Sequence, residues 1–497
     1  MYQILRSAAT GVCLIFAFEA CGGDEVDRTA IDNPVSPGGA IPVSPIADDN
    51  DPRKIAFPGA VGYGRFASGW RGGDVVYVTS LANDGPGTLR ECAEHDGRGR
   101  ICVFGVSGTI TIDDQIRPAS NTYIAGQTAP GRGVQIKLGA GRNSPLMILE
   151  ARDVLVRNLK FRPGPSRTPS SNVDGLAIES SSNIYVDRVS VQFATDENLS
   201  LGTEDRPSED ITIARSITAF ALDKSNHPKG RHSKGALLCA DDGTSSQCGR
   251  VTLYANLFAH NRDRNPDIAS SPSGSIDIVN NVFYDATSQF GEFRNLYGDT
   301  WINYVGNVVL PGRSTRESSP PAAFEVLPFG ADEGFVIEVF ERDNIHRANK
   351  SHDDCDRTID RRIADEDAAP YLVSAPRSPL SVKPITSAQT LELVLAEAGA
   401  RHGSDKRLDD LDAAVIANVR SCRGRRIDRP GEAGGWPDMP RVNGPLDTDR
   451  DGMPDAWEQA RAGLDATDPS DTWHDRDGDG WSNIEEYLSH LAGDPVS

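Results

Sequence analysis

Three stretches of similar pattern decide the fold: RVTLYANLF (residues 250–258), SIDIVNNVF (residues 275–283) and WINYVGNVV (residues 301–309). In each stretch apolar residues alternate with other residues, which is the pattern of a β-strand. Asn256, Asn281 and Asn307 occupy equivalent places, at intervals of 25 and 26 residues. In stacked turns of this length, one asparagine per rung bonds through its amide to the rungs above and below. The pattern predicts an all-β fold, a right-handed parallel β-helix.

A β-sandwich or a β-propeller is the alternative fold for this pattern. Short alternating runs also precede the three stretches, as in DVLVRNLKF (residues 153–161), NIYVDRVSV (residues 183–191) and DITIARSIT (residues 210–218). Asn-Gly pairs, which are typical of hairpin turns, are absent between the runs. Their absence favours the solenoid over folds built from hairpins.

The chain of 497 residues is long enough for two to four domains at about 100–200 residues each. Pro-rich, Gly-rich and Ser-rich sequence near the start indicates a tether. After the β-type runs, LELVLAEAGA and DLDAAVIANVRS have helical periodicity within extended stretches. We therefore predict five segments: a signal peptide (1–21), a flexible linker (22–53), the β-helix (54–312), an extended and helical layer wrapped along it (313–445), and a small acidic module (446–497).

The first segment has the features of an export signal. Arg6 supplies positive charge, and residues 11–18 form an apolar run of signal-peptide length that is too short to span a bilayer. The segment resembles a bacterial lipoprotein signal, in which Cys21 becomes the lipidated N-terminus. We expect a secreted or outer-surface lipoprotein of a bacterium with a lipid anchor at Cys21. Ordinary export with cleavage nearby is the alternative.

The remaining cysteines favour disulfides in an oxidising compartment. Six cysteines allow 15 connectivities, so spacing gives only a guess at the pairing. Two pairs are nine or ten residues apart, and neither has the spacing of a zinc knuckle. Proximity predicts these pairs: Cys92–Cys102, Cys239–Cys248 and Cys355–Cys422.

The charge balance excludes one class of function. Lys and Arg number 51 and Asp and Glu number 72, which gives a formal charge of −21. A nucleic-acid-binding protein would normally show a basic face, and no basic run is present. An anionic ligand would need local cations or a bound metal to approach this surface. The acidic residues are concentrated after residue 440, where the sequence has 14 acidic and 4 basic residues.

Two groups of charged residues stand out within the predicted β-helix. The first is acidic and consists of Asp174, Asp187, Asp196 and Glu197. Asp174 and Asp196 are 22 residues apart, so carboxylates of adjacent rungs can converge, and hard oxygen ligands of this kind favour calcium. Solvated turn carboxylates are the alternative. We expect the histidines nearby to be hydrogen-bonding loop residues rather than ligands: His227, His232 and His260.

The second group is basic. It consists of Lys234 in RHSKGALL and of Arg262 and Arg264 in HNRDRNPDI. Exposed arginines are more often solvated or weakly paired. Here Pro266 restricts the chain that follows Arg264 and places this arginine on a stiff loop. The group is a candidate site for an anionic ligand.

With these residues the sequence resembles the pectate lyase superfamily of parallel β-helix proteins, over about residues 54–437. The resemblance rests on AFPGAVGYGR, GPGTLRE, IAGQTAPG, the NIYVDR strand and RNP after NLFAHNRD. It implies a secreted enzyme that cleaves de-esterified homogalacturonan by calcium-assisted β-elimination. The implied cofactor is Ca²⁺, and the implied partner is polygalacturonate, an anionic plant cell-wall polysaccharide. We expect a monomer.

The resemblance also implies roles for single residues. Arg264 is the proton-abstracting group, and Lys234 binds the substrate carboxylate. From its place in the same basic group, we expect Arg262 to bind substrate as well. Asp174 and Asp196 are calcium ligands. These assignments make Arg264 and Lys234 the catalytic pair.

Three positions depart from the family pattern. Ser200 stands where a further calcium aspartate is expected, and Ala269 stands where a second arginine is expected. Arg188 replaces the histidine of an Asp-His strand motif. Glu197 is the residue we expect to substitute as a calcium ligand.

Two other functions fit parts of the sequence. A non-catalytic β-helix that binds acidic polysaccharide would explain Ser200 and Ala269. A hydrolase of the same polymer would need carboxylates placed for acid–base work, and Asp196 with the pair Asp241–Asp242 imitates part of that arrangement.

The acidic tail contains two matches to the EF-hand calcium loop, 28 residues apart. In each loop alternating carboxylates face one ion, and a glycine makes the sharp turn. The tail resembles calcium-loop tails of secreted polysaccharide lyases and, more distantly, a dockerin. We expect a stabilising role rather than binding to a scaffold. The predicted ligands are Asp447, Asp449, Asp451, Asp455 and Glu458 in the first loop, and Asp475, Asp477, Asp479, Asn483 and Glu486 in the second.

Overall fold

The computed structural model describes residues 51, 53–241, 247–316, 320–351, 355–403 and 405–495. The predicted signal segment and nearly all of the predicted linker lie outside these ranges. Within these ranges, no helix has both the length and the apolar character needed to cross a membrane.

The described chain forms three long sheets whose strands lie side by side in chain order. The first sheet contains β1 (Asp74–Val78), β2 (Arg100–Phe104), β4 (Thr122–Ala125), β7 (Arg152–Arg157), β10 (Ser182–Asp187), β13 (Ser208–Ala214), β16 (Cys248–Tyr254), β19 (Ile276–Val279), β22 (Thr300–Val305) and β25 (Ile337–Arg342). The second contains β3 (Gly108–Ile112), β5 (Val134–Leu138), β8 (Lys160–Phe161), β11 (Ser190–Gln192), β14 (Ile217–Ala219), β17 (Leu257–Ala259), β20 (Val282–Tyr284), β23 (Val308–Leu310), β26 (Ile345–Ala348) and β27 (Ile359–Asp360). The third contains β6 (Met147–Leu149), β9 (Leu176–Glu179), β12 (Glu197–Thr203), β15 (Lys234–Asp241), β18 (Asp267–Ile268), β21 (Gly291–Arg294) and β24 (Phe324–Leu327).

The chain visits the three sheets in turn. It passes through β7, β8 and β9 and then returns to the first sheet as β10, which pairs with β7 in parallel. Apart from the antiparallel pair β26–β27, the ladders between these named strands are parallel. Each turn therefore adds one rung, about 4.8 Å further along the axis. The predicted parallel β-helix is confirmed.

Apolar side chains from all three sheets fill the space that they enclose. Val156, Phe161 and Ile178 come from consecutive strands of one turn, and each is at most 1% exposed. Several runs are almost continuously apolar because both faces of their strands are buried, the inner face in the core and the outer face under other segments. The core is a long column rather than a sphere.

The predicted asparagine ladder is present inside this column. The Nδ2 of Asn256 donates to Oδ1 of Asn281 (3.0 Å), and that of Asn281 donates to Oδ1 of Asn307 (3.2 Å). The ladder continues to Asn344, whose Oδ1 accepts from Asn307 at 3.2 Å. The turns also continue beyond the predicted boundary at residue 312, because β24, β25 and β26 extend the three sheets.

The helices lie outside the solenoid. They are α1 (Leu89–Ala93), α2 (Ser387–Glu397), α3 (Asp410–Ser421), α4 (Asp455–Gln459) and α5 (Asn483–Ala492). Short 3₁₀ turns cover Tyr63–Phe66, Gly126–Thr128, Glu366–Tyr371, Pro430–Ala433 and Pro469–Asp471. Val394 of α2 and Val415 of α3 pack against Ile217 and Leu257 of the second sheet. The helical stretches found in the sequence thus form a layer on the solenoid.

Three disulfides join the cysteines in the pattern that proximity suggested. They link Cys92 to Cys102, Cys239 to Cys248 and Cys355 to Cys422. The last one ties the residue after α3 to the end of the described solenoid.

Candidate active site

The predicted catalytic residues converge at the edge of the third sheet where its strands begin. Glu197 and Lys234 are the first residues of β12 and β15, and they are register partners on adjacent turns. Asp174 comes shortly before β9, and its carboxylate accepts the backbone N–H of Glu197 at 3.1 Å. The solenoid therefore stacks these three charged residues on consecutive rungs.

A cluster of carboxylates occupies this edge. Asp174, Asp196 and Glu197 each offer an oxygen within 4.8 Å of the others. Burial and the charges of Glu197 and Asp196 raise the pKa of Asp174 well above its usual range. Burial and the neighbouring Asp196 likewise raise the pKa of Glu197 to about 7. The negative charges are thus crowded, and this donor set fits a hard divalent cation.

Two histidines border the carboxylate cluster. The Nε2 atom of His232 lies 2.6 Å from Oδ1 of Asp196, and the His232 ring stacks on His227 at a centroid distance of 3.8 Å. The backbone N–H of Lys229 donates to Nδ1 of His227 at 3.1 Å. Burial lowers the pKa of His232 to about 3. Neither Nε2 atom has a hydrogen-bond partner among the described residues, and ligand atoms of Asp196, His227 and His232 lie within 4.8 Å of one another. The predicted hydrogen-bonding role of these histidines therefore stays a prediction.

Arg264 reaches the same cluster from two turns beyond Glu197, across the turn that carries Lys234. One guanidinium nitrogen contacts Oε1 of Glu197, and Nε lies 3.4 Å from Asp267. Burial favours the neutral form of Arg264, but the charges of Glu197 and Asp267 outweigh it and raise the pKa further. In this arrangement Arg264 is a protonated ion-pair partner of the carboxylates.

The other predicted cations lie beside Arg264. Nζ of Lys234 is 2.5 Å from Oδ1 of Asp263, which is its bridge partner on the next turn. Arg262 lies 3.5 Å from both Asp223 and Asp263. The structure therefore brings the three predicted cations together with the carboxylates of Asp174, Asp196 and Glu197.

Arg294 belongs to the site and was missed in the sequence. It follows Phe293, whose register partner is Ile268, and Ile268 precedes Ala269. Arg294 thus lies one turn beyond the missing arginine. Its guanidinium is 2.6 Å from Asp267 and 3.2 Å from Glu292. Strand register was the only signal that could have identified it, and no motif carries that register.

Ser200 compensates in part for the missing aspartate, because its hydroxyl donates to Oδ2 of Asp174 at 2.6 Å. Asp187 corrects the sequence interpretation: it does not join the acidic site. Its carboxylate accepts from buried Arg157 (2.8 Å) and from Arg215 (2.7 Å) on the first sheet. Asp187 ends β10 of the first sheet, whereas Asp174 lies just before β9 of the third sheet, so nearness along the chain did not bring the two together.

A cleft of about 510 Å³ runs along the outer face of the third sheet, beside the cluster. It spans several turns, from β6 to β15. Its polar lining includes Asn143, Asn172, Asp174, Ser200, Thr203 and Glu204. An extended chain can follow such a groove across the strands.

Asp196 and Asp241, two of the residues in the hydrolase alternative, have distant backbone positions on the third sheet. Asp196 precedes the start of β12, whereas Asp241 is the last residue of β15. Because Glu197 pairs with Lys234 and Thr203 with Asp241, the two aspartates lie at opposite ends of a strand pair. A strand of this length separates them by roughly 20 Å, well beyond the ~6.5–9.5 Å of inverting glycosidases. Asp242 lies outside the described residues.

The tail brings some of its predicted ligands together. Three groups each have carboxylate oxygens within 4.8 Å of one another: Asp447, Asp449 and Asp451; Asp451, Glu458 and Asp471; and Asp475, Asp477 and Asp479. Gly452 and Gly480 have positive φ angles of 102° and 94°, as the predicted sharp turns require.

The remaining predicted tail ligands have other partners. Both oxygens of Asp455 accept from Thr448 (2.7 and 2.8 Å), and Glu486 pairs with Arg476 at 2.9 Å. The Nδ2 of Asn483 donates to the carbonyl of Asp471 at 2.7 Å. Asp471 joins the first loop from outside its twelve residues, which is why the motif did not include it.

Similar proteins include two curated fungal relatives. The probable pectate lyase C of Aspergillus flavus is 30% identical over 452 residues, which cover 88% of this chain and 94% of that protein. The probable pectate lyase C of Aspergillus terreus is 31% identical over 410 residues, covering 81% and 86%. Among solved structures, the major allergen from cedar pollen has 18% identity and a TM-score of 0.48 over 68% of this chain and 92% of that chain.

These relatives correct the predicted localisation. A secreted or outer-surface bacterial lipoprotein was expected, whereas the curated relatives are fungal proteins of Aspergillus. The prediction rested on an apolar run before Cys21, a pattern that does not separate a lipoprotein signal from other export signals. The anchor predicted at Cys21 loses its basis with the bacterial source, and Cys21 lies outside the described residues.

The family assignment agrees with the position of the site. A family model described as pectate lyase matches residues 109–300. This range includes Asp174, Lys234, Arg264 and Arg294. The two curated relatives match this chain over most of the length of both proteins, at 30% and 31% identity. The chain therefore belongs to the pectate lyase family of polysaccharide lyases.

Proposed function

We propose that this protein cleaves de-esterified homogalacturonan by calcium-assisted β-elimination and acts as a monomer. The observation that carries the proposal is the convergence of Lys234 and Arg264 with the carboxylates of Asp174, Asp196 and Glu197 at one edge of the third sheet. Membership of the pectate lyase family supports the substrate class. An acidic protein can bind this acidic polymer because its cations are concentrated at one site.

The carboxylate cluster would hold the calcium ion. Asp174, Asp196 and Glu197 lie close enough to share one ion, and the raised pKa values of Asp174 and Glu197 reflect crowded negative charge. Bound calcium would supply positive charge toward the uronate carboxylate and toward the enolate-like charge that develops when the proton at carbon 5 is removed. The Nε2 atom of His232, 2.6 Å from Oδ1 of Asp196, would keep this carboxylate directed toward the ion.

Arg264 is the proposed base. It takes the proton from carbon 5, the electrons of the C5–H bond form the C4–C5 double bond, and the bond from carbon 4 to the glycosidic oxygen breaks. Its contacts with Glu197 and Asp267 keep its guanidinium protonated in the ligand-free arrangement. Arg264 can accept a proton only when these carboxylates no longer stabilise its charge.

Lys234 and Arg262 are the proposed substrate contacts. Both are paired with Asp263 on the rim of the site. A uronate carboxylate would replace Asp263 as their partner and so orient carbon 5 toward Arg264. Bidentate or charge-assisted contacts of this kind fix a carboxylate in both position and angle.

Ultraviolet absorbance on polygalacturonate tests the proposal, because β-elimination creates a conjugated unsaturated uronate. Absorbance should rise for the wild type with calcium, and it should fall to background with chelator or with Arg264→Ala. Arg347→Ala, at a surface ion pair far along the solenoid, is the matched control and should keep full activity.

Two outcomes would contradict the proposal. New reducing ends without absorbance would identify a hydrolase. Binding of polygalacturonate without either product would identify the non-catalytic binding protein that Ala269 suggested.

A further inference from the structure

The first acidic loop of the tail contains buried carboxylates without partners. Glu458 is fully buried, and neither of its side-chain oxygens has a hydrogen-bond partner among the described residues. Both oxygens of Asp449 are also enclosed and unpartnered within that part of the chain. Burial of a carboxylate without a partner is costly, so this arrangement needs a compensating positive charge.

Asp471 completes this group from outside the loop. Its carboxylate lies within 4.8 Å of those of Asp451 and Glu458, and it leaves one buried oxygen unpartnered. Thr472, the next residue, donates to Asp451 at 2.8 Å and holds the two segments together. Asp455, the predicted ligand at position nine, has both oxygens occupied by Thr448. Asp471 therefore supplies the carboxylate that Asp455 does not.

Burial and mutual repulsion act on the same carboxylates. Burial, followed by the charge of Asp451, raises the pKa of Glu458 to about 8. Burial also raises the pKa of Asp451 to about 7. A divalent cation bound by oxygen ligands would remove both penalties at once.

The same loop lies against the first turns of the solenoid. The hydroxyl of Tyr77, on β1, donates to Asp447. Met453, beside the loop, is buried in one apolar cluster with Ile101 and Val103 of β2. The loop that carries the proposed calcium ligands is therefore held to the solenoid both by a hydrogen bond to Asp447 and by the apolar packing of Met453.

Helix α5 continues the contact beyond the loop. Ile484 and Leu488 are buried in the same apolar cluster as Met453. Asp494, after the helix, pairs with buried Arg157 at 2.7 Å, and Glu485 pairs with Arg71 at 2.6 Å. The tail is thus packed on the solenoid rather than displayed as a separate binding module.

We propose that a calcium ion bound by Asp447, Asp449, Asp451, Glu458 and Asp471 fastens the C-terminal tail onto the first turns of the solenoid. The ion is structural, and its role does not depend on the reaction proposed above. It explains why an enzyme with a complete solenoid carries an acidic extension.

The second loop differs from the first and serves as a comparison. Its carboxylates Asp475, Asp477 and Asp479 are exposed, and its terminal Glu486 is paired with Arg476. Water can solvate these carboxylates, so they do not carry the free-energy cost of buried charge that a bound ion would offset in the first loop.

Hydrogen–deuterium exchange of the full-length protein tests the proposal at the tail itself. With calcium, amides of α5 should exchange at least about tenfold more slowly than with chelator, because the tail stays docked. In Asp471→Asn and Glu458→Gln this calcium effect should disappear or need at least about tenfold more calcium. Asp438→Asn, an exposed charge outside both loops, should behave as the wild type.

The exchange of β16, in the middle of the solenoid, shows whether each variant is folded. The proposal is wrong if α5 of the wild type exchanges at the same rate with calcium and with chelator. It is also wrong if folded Asp471→Asn keeps the full calcium effect. The catalytic proposal is untouched by either result, because its readout is product absorbance.

Discussion

Glu197 and Lys234 are register partners on adjacent turns, yet their charged groups pair with other residues. Glu197 contacts Arg264, and Lys234 lies 2.5 Å from Asp263. The site therefore contains two ion pairs of different reach: Lys234 pairs with Asp263 on the next rung, and Glu197 pairs with Arg264 two rungs away. An anionic ligand can replace Asp263 as the partner of Lys234, and a cation can replace Arg264 as the partner of Glu197. In both exchanges the buried charged group keeps a partner of opposite charge.

Glu197→Gln should raise the calcium concentration needed for half-maximal lyase activity by at least about tenfold, since the cluster loses one of three charges. Calcium-dependent absorbance on polygalacturonate measures this. Glu333→Gln, an exposed glutamate in a loop, is the control with the same chemical change. An unchanged calcium requirement in the Glu197→Gln variant would show that Glu197 is not a ligand.

Arg294→Ala should raise KM for polygalacturonate by about ten- to a hundredfold, the effect of one charge-assisted hydrogen bond of ~1.5–3 kcal/mol. The change in kcat should be smaller, because Arg264 remains in place. Arg294→Lys should recover part of the loss, since the charge is retained. Steady-state kinetics separates the two constants, and a fall in kcat alone would assign Arg294 to the chemical step instead.

The ladder and the site show which features the sequence could reveal. Asn256, Asn281 and Asn307 were found because their turns are nearly equal in length. Asn344 was missed because the loop before β24 lengthens its turn, so that it follows Asn307 by 37 residues. Periodicity identifies a rung only where no insertion changes its length.

Charged residues were harder to place than the strands that carry them. Asp187 lies between Asp174 and Asp196 in the sequence, but in the structure it is on the first sheet with Arg157 and Arg215. Arg294 and Asp471 reach their sites from other segments, through register and packing that no local motif encodes. Sequence motifs were enough to locate the site, but tertiary contacts determine which charged residues belong to it.

A buried ion pair that holds α3 to the solenoid should make stability depend on pH. Asp409 begins the helix and contacts Arg162 at 2.8 Å. Burial alone would raise the pKa of Asp409, but Arg162 and Lys160 lower it to about 2. The ion pair of Asp409 contributes about 2 kcal/mol to the free energy of unfolding. This contribution is fully present above the pKa of Asp409 in the unfolded chain, near ~3.9, and is lost as the pH falls toward ~2.

Asp409→Asn tests this contribution, because asparagine keeps the helix cap and removes the charge. The variant should be less stable than the wild type at pH 7, and the difference should shrink as pH falls from about 4 to 2. Urea unfolding at several pH values measures it. Asp410→Asn, at an exposed pair with Arg132, should change stability by less than ~1 kcal/mol. A difference independent of pH would contradict the ion-pair explanation.

Removal of one inner rung of the asparagine ladder should destabilise the solenoid strongly. Oδ1 of Asn281 accepts from both the backbone N–H (2.9 Å) and the Nδ2 (3.0 Å) of Asn256. Its own amide donates to the carbonyl of Leu253 and to Asn307. Asn281→Ala leaves these groups unpaired in the core and should cost about 2–4 kcal/mol.

Asn344→Ala is the comparison, because Asn344 is half-buried at the end of the described ladder, where water can reach the freed groups. Its cost should be about 1 kcal/mol. Chemical denaturation followed by circular dichroism gives both values. If the two variants lost the same free energy of unfolding, each asparagine would stabilise only its own rung. The continuity of the ladder along the solenoid would then add no stability.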